Sequence, residues 1–294
     1  MRTVNFNSRD HYRHTAYPSP FHSRQARHNQ LKEWGRWADY QSVPAYWCED
    51  MEYFAGRNAC GVFDLTPMVK HRFTGPDALA CLNRMVTRDV AKIRPGRVGY
   101  TVWCNEQGQV LDDGTIFHLG ENDYRVCSQE RQIDWFLASA DGFDVEVRED
   151  THEVAALAAQ GPTSCAVLKE MGLQGIENLT PFGLDTFEFP TGLGSTELMV
   201  SRTGFTGDLG YELWITASKA EALWDRLFSA GRDYMIKPFS ADTLDARIRA
   251  VLRRSASTPP STSPALCAAS TRPQPARPML SSAISGPSTP SVAA

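Results

Sequence analysis

Two adjacent carboxylates, Asp112 and Asp113, interrupt an otherwise apolar run in the stretch Gly99 to His118, GYTVWCNEQGQVLDDGTIFH. Side chains on an extended arm alternate faces. One aspartate therefore points where the hydrophobic residues point and the other points away. A carboxylate on a buried face is costly unless a partner or ligand serves it. The pair is thus a candidate acid/base or ligand-orienting site, and a solvated Asp-Asp-Gly turn closing a strand is the alternative. Other chemistries find less support. His11 and His14 form an H-x-x-H in a polar segment with no further ligand types nearby, so no metal is expected. Gly192-Leu193-Gly194 lacks the third glycine and the following helix of a dinucleotide fingerprint, and neither a Walker loop nor a G-x-S-x-G elbow occurs.

The element that must position the aspartates is a hairpin. Tyr100, Val102 and Cys104 alternate on one arm, Asn105-Glu106-Gln107-Gly108 supplies turn chemistry, and Val110 to Phe117 returns. Before it, residues 1 to about 30 read as a surface arm and Leu31 to Trp37 as a short helix. Residues 60 to 75 read as one strand entering the core, and a helix opens at Pro76-Asp77, carrying Leu79, Leu82, Met85 and Val86. After it come a strand at Asp123 to Ser128, a helix over Glu130 to Leu137, strands at Val145 to Arg148 and Val154 to Ala158, and a helix after Gly161-Pro162-Thr163. Strands at Leu198 to Ser201 and Leu209 to Ile215 flank a turn. Ser218 to Glu221 reads as a capping box for a helix whose apolar stripe is Ala220, Leu223, Trp224, Leu227 and Phe228. Frequent hairpins without regular βαβ alternation predict an α+β fold with antiparallel sheets.

At 294 residues, 42% hydrophobic and 22% charged, with a net charge of −4, the chain has the composition of a soluble globular protein of about two domains. That charge argues against nucleic acid or a membrane surface as partner. No apolar run is long enough to span a bilayer, and no secretory signal is visible. Seven scattered cysteines without a C-x-x-C pair favour reduced thiols and a cytoplasmic setting. From Val251 to Ala294 the chain has no aromatic or acidic residue and many Pro, Ser, Ala and Thr residues, so disorder is expected there. The change falls inside a helical pattern at 240–252, which also suits a shifted reading frame.

Four segments in order carry a resemblance: FDLTPMVKHRFTGPDALACLNRMVTRDVAKIRPGRVGY at 63–100, NEQGQVLDD at 105–113, LAAQGPTS at 157–164 and SRTGFTGDLGYEL at 201–213. Through them the chain resembles the glycine-cleavage T-protein (aminomethyltransferase) family, whose members bind tetrahydrofolate. The resemblance implies two related folate-binding α+β domains, 51–150 and 151–250. An arm at 1–50 would precede them, the tail 251–294 would follow, and the family's C-terminal barrel domain would be absent. It implies that Asp113 is the catalytic aspartate and that Tyr100, Phe205 and Glu212 hold the cofactor, with Arg247 the nearest match to an arginine that reaches it. Implied too are transfer of an aminomethyl or methyl group from a small donor to tetrahydrofolate, and a lipoyl carrier protein as candidate partner. Departures leave the donor open: the family's D-x-S-H-M is Asp64-Leu65-Thr66-Pro67-Met68 here, and Asp113 is followed by Gly114. A folate-dependent demethylase and a non-catalytic folate-binding accessory protein are the alternatives. Read from residue types alone, Glu212 could instead be a cross-strand charge partner and Phe205 a core residue at a hairpin.

Overall fold

The computed structural model describes residues 15–191 and 194–231. The expected arm is docked, and the helix lies inside it: α1 (His22–His28) is followed by a small hairpin, β1 (Gly35–Trp37) and β2 (Tyr40–Ser42), where a helix was expected. Gly35 and the left-handed Ala38 (φ 47°) break helical continuity, and the flanking Trp37 and Tyr40 pair across the turn. Phe21 is fully buried against Trp224, with ring centroids 5.8 Å apart.

Next come α2 (Glu49–Asn58), β3 (Gly61–Asp64) and β4 (Val69–Thr74). The single strand expected over 60–75 is thus two strands, and they belong to different sheets. Pro67 has no N–H to continue a ladder, and Met68 N–H bonds back to Leu65 O (3.0 Å) to close a turn between them. The order continues through α3 (Ala78–Met85), β5 (Arg97–Cys104), β6 (Val110–Gly120), β7 (Asp123–Ser128), α4 (Ile133–Ser139) and β8 (Glu146–Glu149). Then follow β9 (Val154–Gln160), α5 (Ser164–Glu170), β10 (Leu184–Thr191), β11 (Gly194–Ser201), β12 (Gly210–Thr216) and α6 (Ala220–Ala230). The helix α6 starts after a short 3-10 turn with Lys219 at its cap and no side-chain capping bond, so the expected Ser218–Glu221 box does not form. Glu221 instead accepts from Ser23 and pairs with Arg24, tying α1 to α6.

Both five-stranded sheets are antiparallel, in the orders β5-β6-β7-β4-β8 and β10-β11-β12-β9-β3, which is the α+β architecture expected. Period-2 alternation sorts each strand between two layers. On the first sheet, Phe73, Trp103, Ile116 and Val126 pack under α3 and α4 with Leu82 and Phe136. On the second, Leu157, Tyr211 and Leu213 pack against α5 and α6 with Val167, Leu223 and Trp224. The remaining faces meet each other: Val98, Phe117 and Cys127 of the first sheet contact Ala156, Ala158 and Trp214 of the second. Phe117 meets Trp214 edge to face at 5.0 Å between centroids. The result is a helix–sheet–sheet–helix stack. Each large side chain in the central layer contributes about 1.5–3 kcal/mol of burial, which holds the two inner sheet faces together.

Candidate functional site

The register decides which side chains reach the space between the sheets. On β5 and β6, Val102 opposes Asp113, Tyr100 opposes Thr115, and Val98 opposes Phe117. Asp113 and Tyr100 therefore share the inner face with Val98 and Phe117, at its exposed end. Asp112 faces the other way and accepts from Asp113 N–H (2.8 Å) and Glu130 N–H (3.3 Å). Both aspartates lie within β6, so they are not a turn closing a strand. Tyr100 is half exposed, and the neighbouring Asp113 carboxylate raises the tyrosine's pKa.

Gly114 fixes how this arm lies. A Cβ there would come within 2.2 Å of Cys127 O and 3.2 Å of the Trp103 indole. Trp103 thus occupies the space a larger residue at 114 would need, which gives a physical reason for the glycine after Asp113.

On the second sheet, Phe63, Ala158, Glu212 and Ser201 form one row across four strands, again on the inner face. Glu212 is only 7% exposed. Its Oε2 accepts from Thr203 Oγ1 (2.6 Å) and Ser201 Oγ (3.3 Å), and Trp214 Nε1 donates to Ser201 Oγ (3.2 Å). Among the described residues no cation pairs with Glu212, so it is not a cross-strand charge partner, and Oε1 carries no hydrogen bond. Burial pushes its pKa up against the two hydroxyl bonds. Such a carboxylate suits a ligand that brings its own N–H donors side by side.

Phe205 sits in the loop joining β11 and β12. It is 63% exposed, so it is not a core residue, and it meets Phe63 edge to face at 5.3 Å. In this loop Gly204 makes room for a neighbour: a Cβ would lie 2.0 Å from Gln160 Oε1, and Gln160 Nε2 holds Thr203 O and Tyr211 O (3.2 and 3.3 Å). Gln160 therefore fixes the loop that carries Thr203 and Phe205.

Sequence reading missed three features. Ser201 and Thr203, the hydroxyls that orient Glu212, alternate at i and i+2 in SRTG, and that spacing was the available signal. Lys70 is fully buried, with its ammonium donating to Thr66 O and Met68 O (2.8 and 2.7 Å) and lying 5.9 Å from the Trp214 ring centre. Burial lowers its pKa to about 8. Third, Arg88, Lys92, Arg94 and Arg97 line a cleft of about 600 Å³ beside Tyr100 and Phe182. Arg247, His11 and His14 lie outside the described residues. Among the described residues no group of three or more His, Cys, Asp or Glu could hold a metal, six cysteines are free, and no helix is long and apolar enough to cross a membrane.

Two antiparallel sheets packed face to face, each with a carboxylate on its inner face, define an α+β architecture with a candidate site on those faces. The chain belongs to the glycine-cleavage T-protein family, whose GCVT N-terminal domain description matches residues 20–254. It is 37% identical over 191 residues to an aminomethyltransferase of Geobacillus thermodenitrificans, covering 64% of this chain and 51% of that protein. With an aminomethyltransferase of Streptomyces coelicolor it shares 36% over 194 residues, 63% of this chain and 50% of the other. A glycine cleavage system aminomethyltransferase T from Bartonella henselae has the same fold, with a TM-score of 0.64 and 24% identity, over 74% of this chain and 58% of that one. The chain spans about half the length of the curated relatives it matches.

Proposed function

We propose that this protein transfers a one-carbon unit, aminomethyl or methyl, from a donor to tetrahydrofolate. The observation that carries the reading is Glu212: a buried carboxylate with only hydroxyl partners and a free Oε1, on the inner face of one sheet, while Asp113 stands on the inner face of the other. The donor set fits a reduced pterin, whose ring N–H and amino group lie side by side and match a carboxylate edge. Phe205 and Tyr100 offer aromatic faces for the flat ring systems. The cationic cleft next to Tyr100 complements the acidic glutamyl end of a folate.

When bound, tetrahydrofolate supplies the nitrogen that accepts the one-carbon unit. Asp113, beside Tyr100, orients the ligand, offsets positive charge that develops on nitrogen and takes up the released proton. Glu212 holds the pterin through its position, fixed by Ser201 and Thr203. Arg247 is proposed as a further contact, and a lipoyl carrier protein is the proposed partner if the donor is an aminomethyl group. Asp113→Asn keeps the hydrogen-bonding shape and removes the charge and the proton acceptor. The variant is expected to bind tetrahydrofolate by calorimetry while one-carbon transfer falls about 10²–10⁴-fold. Unchanged turnover would exclude the assigned role.

A further inference from the structure

Phe205 projects from the loop of residues 202–209, where little packing holds it: its ring is 63% exposed and meets Phe63 only by an edge. Gly204 and Gly207 flank it, the latter with φ 80°, so the backbone here has wide conformational freedom to lose. Gln160 anchors the start of the loop through Thr203 O, and its Oε1 accepts from Thr206 Oγ1 (3.2 Å). The far side is fastened from α2, where Arg57 Nη1 donates to Thr206 O (2.7 Å) and to the Asp208 carboxylate. We propose that Arg57 is a positioning residue for ligand binding, latching this loop to α2 so that Phe205 stands ready as an aromatic face.

An exposed ion pair alone contributes little. Here, though, a single guanidinium serves a carboxylate, a backbone carbonyl and a ring. Tyr53, one helical turn earlier on α2, lies with its ring centre 5.2 Å from the guanidinium carbon and orients it from below. The planar fork of arginine also gives up less freedom per bond than an ammonium would. The carbonyl it holds belongs to Thr206, so the backbone is fixed one residue past the ring. Arg57 and Asp208 are 151 positions apart, and the contact therefore ties the loop to a distant element rather than to its own neighbours.

The hydroxyls that bond Glu212 come from Ser201 and Thr203, at the start of the loop. Arg57 thus acts at one remove, through where the rest of the loop stands. The inference rests on the proposed function and adds to it the residue that sets the aromatic wall. A loop in its binding position for only part of the time weakens apparent affinity in proportion. Breaking the latch should cost affinity and leave the core untouched, because both side chains lie at the surface.

The test pairs two measurements on the full chain. Calorimetric titration with tetrahydrofolate compares the parent with Arg57→Met, Asp208→Ala, the double variant and Arg57→Lys. Arg57→Met should weaken binding about fivefold at an unchanged thermal midpoint. The double variant should bind no more weakly than Arg57→Met, since the two side chains act as one unit. Arg57→Lys keeps the charge and should recover part of the loss. In the second measurement the ligand-free proteins are digested with dilute chymotrypsin, and cleavage after Phe205 is followed by mass spectrometry. Loop cleavage tracks the open population, so Arg57→Met should be cut there about fivefold faster. Unchanged cleavage in Arg57→Met overturns the inference. So does unchanged affinity where the parent binds tetrahydrofolate, a loss that multiplies in the double variant, or one matched by a fall in thermal midpoint. A parent that does not bind tetrahydrofolate defeats the proposed function alone, and cleavage then decides whether the latch exists.

Discussion

Glu212 and Asp113 are alike in chemistry and opposite in setting. The first is buried, bonded by hydroxyls and pushed up in pKa; the second stands exposed beside Tyr100. Under the proposed function this contrast in setting divides the labour, with Glu212 holding a neutral donor edge and Asp113 at the reacting nitrogen. A third titratable residue sets a pH limit on the fold itself. His71 is fully buried on β4, edge-on to Phe136 at 4.7 Å, and burial lowers its pKa from 6.5 to about 4. Between those values the unfolded chain binds a proton that the folded chain does not. The contribution of His71 to stability thus rises with pH across that window and is lost as pH falls from 6.5 to 4. The whole effect is at most about 3 kcal/mol. In urea denaturation at pH 7 and pH 4.5, His71→Leu should lose less stability between the two pH values than the parent protein. Equal losses would show that His71 carries no such linkage.

At the scale of elements, the hairpin β5–β6 carries the most. Its close approach to β7 depends on Gly114, because a methyl group there collides with Cys127 O and crowds Trp103. Gly114→Ala should cost about 1–3 kcal/mol, seen as a lower thermal midpoint, and should loosen the arm that presents Asp113. A melting curve superimposable on the parent's would refute the argument. This hairpin was legible from sequence because alternation and turn chemistry agree over its whole length. The strand β10 was not: Asp185, Glu188 and Pro190 make its segment read as loop, and only its place at a sheet edge accommodates them. The helix expected over Leu31 to Trp37 failed because tertiary packing overrode a weak local signal; Tyr40 and Trp37 gain more by pairing as a hairpin. Asp113, Tyr100, Phe205 and Glu212 could be named from the resemblance. What those segments could not convey is partnership, since the Ser201 and Thr203 bonds to Glu212 and the position of Gln160 depend on strand register.

At the scale of the whole molecule, the candidate site depends on two sheets that share a central layer. The surrounding charges are arranged to leave that layer largely apolar: Arg125 pairs with Asp150 and Arg131 with Asp39 in buried bonds, and Arg131 also pairs with the partly buried Glu149. Removing one partner of such a pair strands the other charge in a poor solvent. The N-terminal segment belongs to this architecture as well. Ser19 and Gln25 bond Asp64, and Arg24 makes a two-pronged contact with Asp225 (2.8 and 2.6 Å).

The placement of β3 has a further consequence. Gly61 to Asp64 lie early in the chain, yet they pair with Leu157 to Gln160, and β4, a few residues later, serves the other sheet. As the polypeptide leaves the ribosome, this strand must wait unpaired until its mate is made, a long-range closure of the kind that slows folding. Cleaving the gene between the halves should therefore not yield two independent proteins. A polypeptide beginning at Thr151 would present β9, apolar along its length up to Gln160, as a raw edge. It is expected to precipitate when expressed alone and to be recovered in solution when residues 1–150 are supplied beside it. Soluble, monomeric material from the later half alone would show that the borrowed strand is dispensable.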